Sequence, residues 1–172
     1  TAIQELYEFL EENTSADYYN DWIATDEYKL HKSLFVNNVS IMQDAVNINS
    51  NYWLFKCIVP HIKMTQKRYV QSLLGVDFYE NLLNKFISTT LSNEEKSLVK
   101  ILQDAISYIA YGHALQDHAF LQEYTIVTAS RIEQINNMQN IEVIAKANKE
   151  QSLDYINKGQ ASLMDALEYI NL

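Results

Sequence analysis

One cysteine, one proline and three glycines occur in 172 residues. A single cysteine excludes an intramolecular disulfide and fits a reducing compartment. Sheet-rich chains turn often, and their turns draw on glycine and proline. Scarcity of both predicts long helices with few connections. No apolar run approaches the roughly 18 residues that cross a bilayer, so no membrane residence is expected. Positive charge is also in short supply, with 13 Lys and Arg against 22 Asp and Glu and a net charge of −9. A field of that sign repels phosphate and argues against a general nucleic-acid binder. It is compatible with a wall along which DNA slides without sticking. The opening "TAIQELYEFLEEN" is acidic and lacks a basic stretch followed by an apolar one, so it does not read as a signal peptide.

What is present is an ordinary globular composition, 48% hydrophobic and 20% charged. A domain of this length buries roughly 70% of its unfolded surface and needs no covalent staples. The expectation is a soluble, intracellular, acidic and mainly α protein. It should form a helical bundle of about four to five helices, with an irregular N-terminal arm and a short extended or β excursion before the last helix. Residues 1–50 are read as an N-terminal helix and arm, and residues 51–172 as the helical body of what is overall a single domain.

Ile3, Leu6, Tyr7 and Leu10 share one face of a short amphipathic helix, with Glu5, Glu8, Glu11 and Glu12 on the remainder. "TSADYYNDWIATDEYKLHKSLF" is aromatic, polar and weakly periodic, which predicts an irregular arm with a short helix or strand. In the next stretch "LFV" reads as strand-like and "VSIMQDAV" as a helical turn. From Asn51 the period is clear, with Trp53, Ile58, Ile62, Tyr69 and Leu73 close to one face. Pro60 removes an amide donor, so the helix either starts there or bends there. Gly75 follows the last apolar turn and can close the helix with a positive φ. Asp77 is placed to cap the next helix, "FYENLLNKF", and Phe78, Leu82 and Leu83 to turn back onto the first. Ser92 and Glu95 stand at capping-box spacing before the stripe Leu98, Ile101, Leu102, Ala105, Ile109 and Leu115. "EYTIVTASRIEQIN" alternates loosely and predicts the extended excursion over 120–140. The last long helix has Ile141, Ile144, Ala145, Leu153, Ile156, Leu163, Leu167 and Ile170 facing inward. Gly159 inside it costs about 1 kcal/mol and suits a site where another helix crosses closely.

The search for chemistry is mostly negative. His113 and Asp117 share a helical face, but His118 lies roughly 140° away from His113. A metal would need three convergent ligands, and neither zinc nor di-iron spacing is present. Cys57 and His61 are four apart, yet Pro60 lies between them and no third group orients a nucleophile. His31 follows Glu27 by four, an ordinary surface pairing. Glu11–Glu12, Asp26–Glu27 and Glu94–Glu95 are sequence neighbours, which diverge on a helix; the helix dipole alone accounts for the last pair. No phosphate-binding glycine loop or nucleophile elbow occurs. Lys63, Lys67 and Arg68 form an exposed basic helix edge. No catalytic, cofactor-binding or metal-binding residue is assigned, and no cofactor or enzyme activity is expected. Twelve tyrosines favour interfaces, since each buries area while keeping a polar tip. Tyr18, Tyr19 and Trp22 in the arm, with Tyr124, Ile126 and Arg131 in the excursion, are the interface candidates. The competing reading has the tyrosines packed onto the bundle.

The stretch "VNINSNYWLFKCIVPHIKMTQKRYVQSLLGVDFYENLLNKF" resembles the N-terminal helices of small head–tail connector proteins of tailed phages and prophages. It is especially similar to an uncharacterised group in phages of Bacteroides-type hosts, including crAss-like phages. The similarity runs over residues 34–172 and closes on a helix like "QSLDYINKGQASLMDALEYI". It implies a structural virion protein of the neck, made in the host cytoplasm. Such connectors form homo-oligomeric rings, commonly dodecamers, below the portal and bridge to further neck or tail proteins. DNA passes through the lumen without sequence-specific binding. In this reading residues 14–36 and 120–140 make the contacts, and residues 1–33 lie outside the pattern. The alternative is a soluble helical ligand- or metal-binding bundle, with His113, Asp117 and His118 lining a pocket.

Overall fold

The computed structural model describes residues 17–117 and 138–171, together with Phe9 and Thr14. Among these residues the chain is mainly helical and forms no strand. Seven helices appear, α1 Asp17–Ala24, α2 Asp26–His31, α3 Val39–Ala45, α4 Tyr52–Thr65, α5 Val76–Ile87, α6 Asn93–Asp117 and α7 Met138–Ile170. Helix α4 runs on through a π-helical turn, Gln66–Val70, and a last α turn, Gln71–Leu74. The count exceeds the four to five expected because the arm and the segment after it are also helical. The first amphipathic helix lies outside the described residues except for Phe9, as do residues 120–137 of the excursion expected over 120–140; its last three residues, 138–140, are not extended but form the start of α7.

The arm is regular because Thr25 works in both directions. Its hydroxyl donates to the Trp22 carbonyl at 2.6 Å, and its oxygen accepts from the Tyr28 amide at 3.2 Å. One residue therefore ends α1 and caps α2. The turn also brings the Trp22 and Tyr28 rings edge to face, 4.6 Å apart at their centroids.

Helix α4 neither starts nor stops at Pro60; the proline sits on its exposed side, inside the helix. The sequence period fails later, at the π turn. That turn accommodates one residue more than an α turn. Val70 is then fully buried with Gln66, while Tyr69 and Leu73 are only half-buried. Trp53, expected on the buried face, is 74% exposed at the first turn of α4. Gly75 ends this helix at φ +76° and is at once the N-cap of α5. Asp77 is therefore not the cap. It stands in the first turn, where it can only complement the dipole. Leu82 turns back and is buried and Leu83 packs beside it, but Phe78 points outward.

The capping box at α6 is complete. The Ser92 amide donates to the Glu95 carboxylate at 2.9 Å, and the Glu95 amide to the Ser92 hydroxyl at 3.2 Å. Lys85 of α5 adds an ion pair to the same carboxylate at 2.6 Å. Leu98, Leu102, Ala105, Ile109 and Leu115 are buried as expected.

Helices α6 and α7 pack against one another along most of their length, and glycine sets their separation from both sides. A Cβ on Gly112 would stand 2.7 Å from Ile156 Cγ1 and 2.8 Å from the Ser152 carbonyl. A Cβ on Gly159 would stand 2.8 Å from the Ala105 carbonyl and closer still to Ile109. The pairing of higher with lower numbers makes the helices antiparallel. Ile156, Leu163 and Leu167 are half-buried in this contact. Leu153 and Ile170, expected inside, are 45% and 41% exposed. Their faces extend past the flank that α6 covers. The side chains of Ile141, Ile144 and Ala145 lie outside the described set.

The core is continuous across residue 50. Leu34, Phe35, Val36, Val39, Met42 and Ile48 join the buried residues of α4 and α6 in one cluster.

Candidate functional site

Tyr18, Tyr19 and Trp22 all lie on α1. Tyr18 is 46% exposed, whereas Tyr19 and Trp22 are half-buried and share a tilted ring contact at 5.9 Å. Tyr124, Ile126 and Arg131, expected to form the second contact region, lie outside the described residues. Elsewhere tyrosine packs inward. Tyr111 is 1% exposed, and Tyr155 stands edge-on to it at 4.9 Å and stacked on Tyr108 at 6.2 Å. Large apolar side chains also face outward on the body, among them Trp53, Val76, Phe78 and Met164.

The join between arm and body is built from polar side chains that the sequence pattern did not single out. Residues "LFV" are buried but pair with no strand among the described residues. Gln66, buried at the π turn, accepts from the Phe35 amide at 2.8 Å and donates to the Ser33 carbonyl at 2.9 Å. Gln103 of α6 donates to the Phe35 carbonyl at 2.9 Å. Two glutamines thus satisfy the backbone groups that this buried, irregular segment would otherwise leave unpaired. The Gln66 amide nitrogen also donates to the Tyr79 hydroxyl at 2.6 Å. Burial holds the Tyr79 phenol above its ordinary pKa, against the opposing effect of that hydrogen bond. The available signal was a glutamine interrupting each apolar stripe, at 66 and at 103. That signal is common on helices and does not say which backbone it will meet.

His113 is half-buried near the end of α6, with its ring stacked against Tyr69 at 6.5 Å. Its Nε2 is buried without a hydrogen-bond partner. The Asp117 side chain and His118 lie outside the described set, so the predicted trio is represented by one member. Thr65 and Ser107, on the two helices that pack beneath this region, also bury hydroxyls without partners. Among the described residues no three metal-binding side chains converge. Because α4 continues through Pro60, Cys57 and His61 share a helical face after all, contrary to the expectation that the proline separates them. Cys57 is half-buried and packed against the core.

Lys63, Lys67 and Arg68 form the exposed basic edge that the spacing predicted. The Arg68 guanidinium lies 5.9 Å from the centre of the Tyr69 ring. No described carboxylate pairs with any of the three.

The geometry of the described residues defines a class, a mainly helical scaffold with a helical arm pinned to a bundle whose longest helices pack at glycine separation. None of its described helices is long and apolar enough to cross a membrane. No protein-family model, no curated protein and no solved structure matches the chain.

Proposed function

We propose that this chain is a structural virion protein, a head–tail connector that forms a ring below the portal and bridges to further neck or tail proteins around the DNA channel. The observation that carries the reading is the helix–corner–helix of residues 52–87, closed at Gly75, which is the stretch that resembles phage connectors. Around it, a rigid body exposes Trp53, Val76 and Phe78 rather than enclosing them, and exposed apolar groups of this size favour protein contacts. The net charge of −9 suits a lumen that DNA must traverse. The chain acts by assembly in this reading, without catalysis or a cofactor, and its place is the virion neck.

The test is negative-stain imaging and light-scattering mass of the purified protein, alone and with a portal protein of the same phage. Closed rings, or a ring formed on the portal, support the reading. A monomer that neither self-associates nor binds portal removes it. One observation favours the alternative of a ligand- or metal-binding bundle, the buried and unpartnered Nε2 of His113. Stoichiometric metal in the purified protein, lost on His113→Ala, would establish that alternative.

A further inference from the structure

The negative charge of the chain is unevenly distributed. Residues 1–31 hold eight of the 22 acidic residues and one of the 13 basic ones, a net −7 within a total of −9. The remaining 141 residues are close to neutral, at −2. The opposite charge is concentrated on the body at Lys63, Lys67 and Arg68, all exposed. Lys63 and Lys67 stand one turn apart on α4 and its π turn, and Arg68 is adjacent. No described carboxylate pairs with them, and the Arg68 guanidinium lies over the Tyr69 ring. Asp21 and Asp26 of the arm are exposed, and the ion pair of Asp26 is with Lys29, at 3.9 Å. Yet the arm joins the body beside this strip, because Gln66, which holds Ser33 and Phe35, is the neighbour of Lys67.

We propose that the basic strip Lys63, Lys67 and Arg68 receives the acidic arm of a second copy of this chain. The choice of a second copy rests on the ring-forming reading above. The choice of surface rests on charge: the arm carries seven of the nine net negative charges, and this strip has three exposed cations that no described carboxylate pairs. Arm and strip are different surfaces, so the contact is head-to-tail and repeats from subunit to subunit until a ring closes. Exposed pairs of this kind contribute little individually. Together they steer encounter, fix register and make association sensitive to salt. A nucleic acid is the other polyanion that could meet three cations, but the field of a −9 chain opposes it.

The experiment follows the mass of the full chain by sedimentation and light scattering from about 50 mM to about 0.5 M salt, where screening of exposed charges becomes severe. Association of the wild type should weaken with salt. The variant Lys63→Glu/Lys67→Glu/Arg68→Glu should associate at least about tenfold more weakly, since like charges are then juxtaposed. An arm variant, Glu11→Lys/Glu12→Lys/Asp21→Lys/Asp26→Lys, should be weakened similarly, and mixing the two variants should restore mixed assembly. Restoration cannot come from unfolded chains, and helical circular dichroism checks each variant alone. If the strip variant assembles like the wild type, the inference is overturned while the ring reading stands. A wild type that stays monomeric at every salt concentration also overturns it, and portal binding then decides the ring reading separately. Duplex DNA binding that the strip variant loses, with assembly unchanged, assigns the strip to nucleic acid and overturns the proposal.

Discussion

The Ser152 hydroxyl donates to the Gly112 carbonyl at 2.8 Å, across the contact between the two longest helices. Both residues are buried, and the bond forms only because Gly112 has no side chain to hold α7 away. Gly159 performs the same task for Ala105 and Ile109 on the other side. The bundle therefore rests on a close approach of two backbones, and this sets the direction of the first prediction.

Gly159→Ala should destabilise the fold, although alanine is the better helix former by about 1 kcal/mol. The new methyl would meet the Ala105 carbonyl at 2.8 Å, backbone that cannot move aside cheaply. Overpacking of this kind costs about 1–3 kcal/mol. The melting temperature should fall by several degrees, at about 2–4 °C per kcal/mol for a chain of this size. A raised melting temperature would sink the close-packing account.

Gly75→Ala tests a different cause. Nothing lies within 4 Å of the added Cβ, so no clash opposes it, but φ is +76°. An L side chain in that conformation costs about 1–3 kcal/mol. Denaturant titration should show the midpoint falling with an unchanged slope. A Gly75→Ala protein as stable as the wild type would mean that the corner can close another way.

Gln66→Ala should loosen the join of arm and body. It removes the partners of the buried Phe35 amide and of the carbonyl of exposed Ser33 together, and orphaning the buried amide costs about 1–3 kcal/mol. Hydrogen exchange at the Phe35 amide should accelerate more than exchange in α6. The Tyr79 phenol, raised by burial, should titrate above a free tyrosine in ultraviolet absorbance. Its folded pKa lies above the unfolded value, so its contribution is present below the ordinary tyrosine range and is lost as pH rises through the folded pKa. Equal acceleration everywhere would mean global rather than local loosening.

At the start of α6 the pH dependence has the opposite sign. The Lys85 hydrogen bond, then the Ser92 amide, hold the Glu95 carboxyl below its ordinary value. Glu94 is held down by its backbone hydrogen bond and the Ser92 hydroxyl. Folded pKa values below the unfolded ones mean stability present above the ordinary glutamate range and lost as pH falls through the folded values. Ser92→Ala should cost about 1 kcal/mol near neutral pH and less once the two carboxylates are protonated. Thermal melts of both proteins at neutral and acid pH make the comparison, and an equal difference at both would discount the coupled cap.

The capping box, the corner at Gly75 and the stripe of α6 could be read in advance because each depends on residues within a few positions of one another. Gly159 could be suspected as a crossing site, since a glycine inside a long helix needs a reason. Its counterpart Gly112 was not singled out, because the identity of the opposing helix is a tertiary fact. The π turn likewise breaks the single helical period of the sequence, and it moves burial from Tyr69 to Val70. The interface candidates rest on tyrosine content and on weak helical period, neither of which says what covers a side chain. Of these, Tyr18 is exposed and Tyr19 and Trp22 are half-buried, because burial depends on what covers a helix rather than on its own letters.

By itself, then, the sequence determined the helical class, the capping box at Ser92 and the corner at Gly75, through short-range hydrogen bonding and steric rules. Tertiary structure alone decided which backbones approach to glycine distance. It also decided that Gln66 and Gln103 hold the buried Phe35 backbone, since a hydrogen bond spanning 31 or 68 residues leaves no local mark on either end.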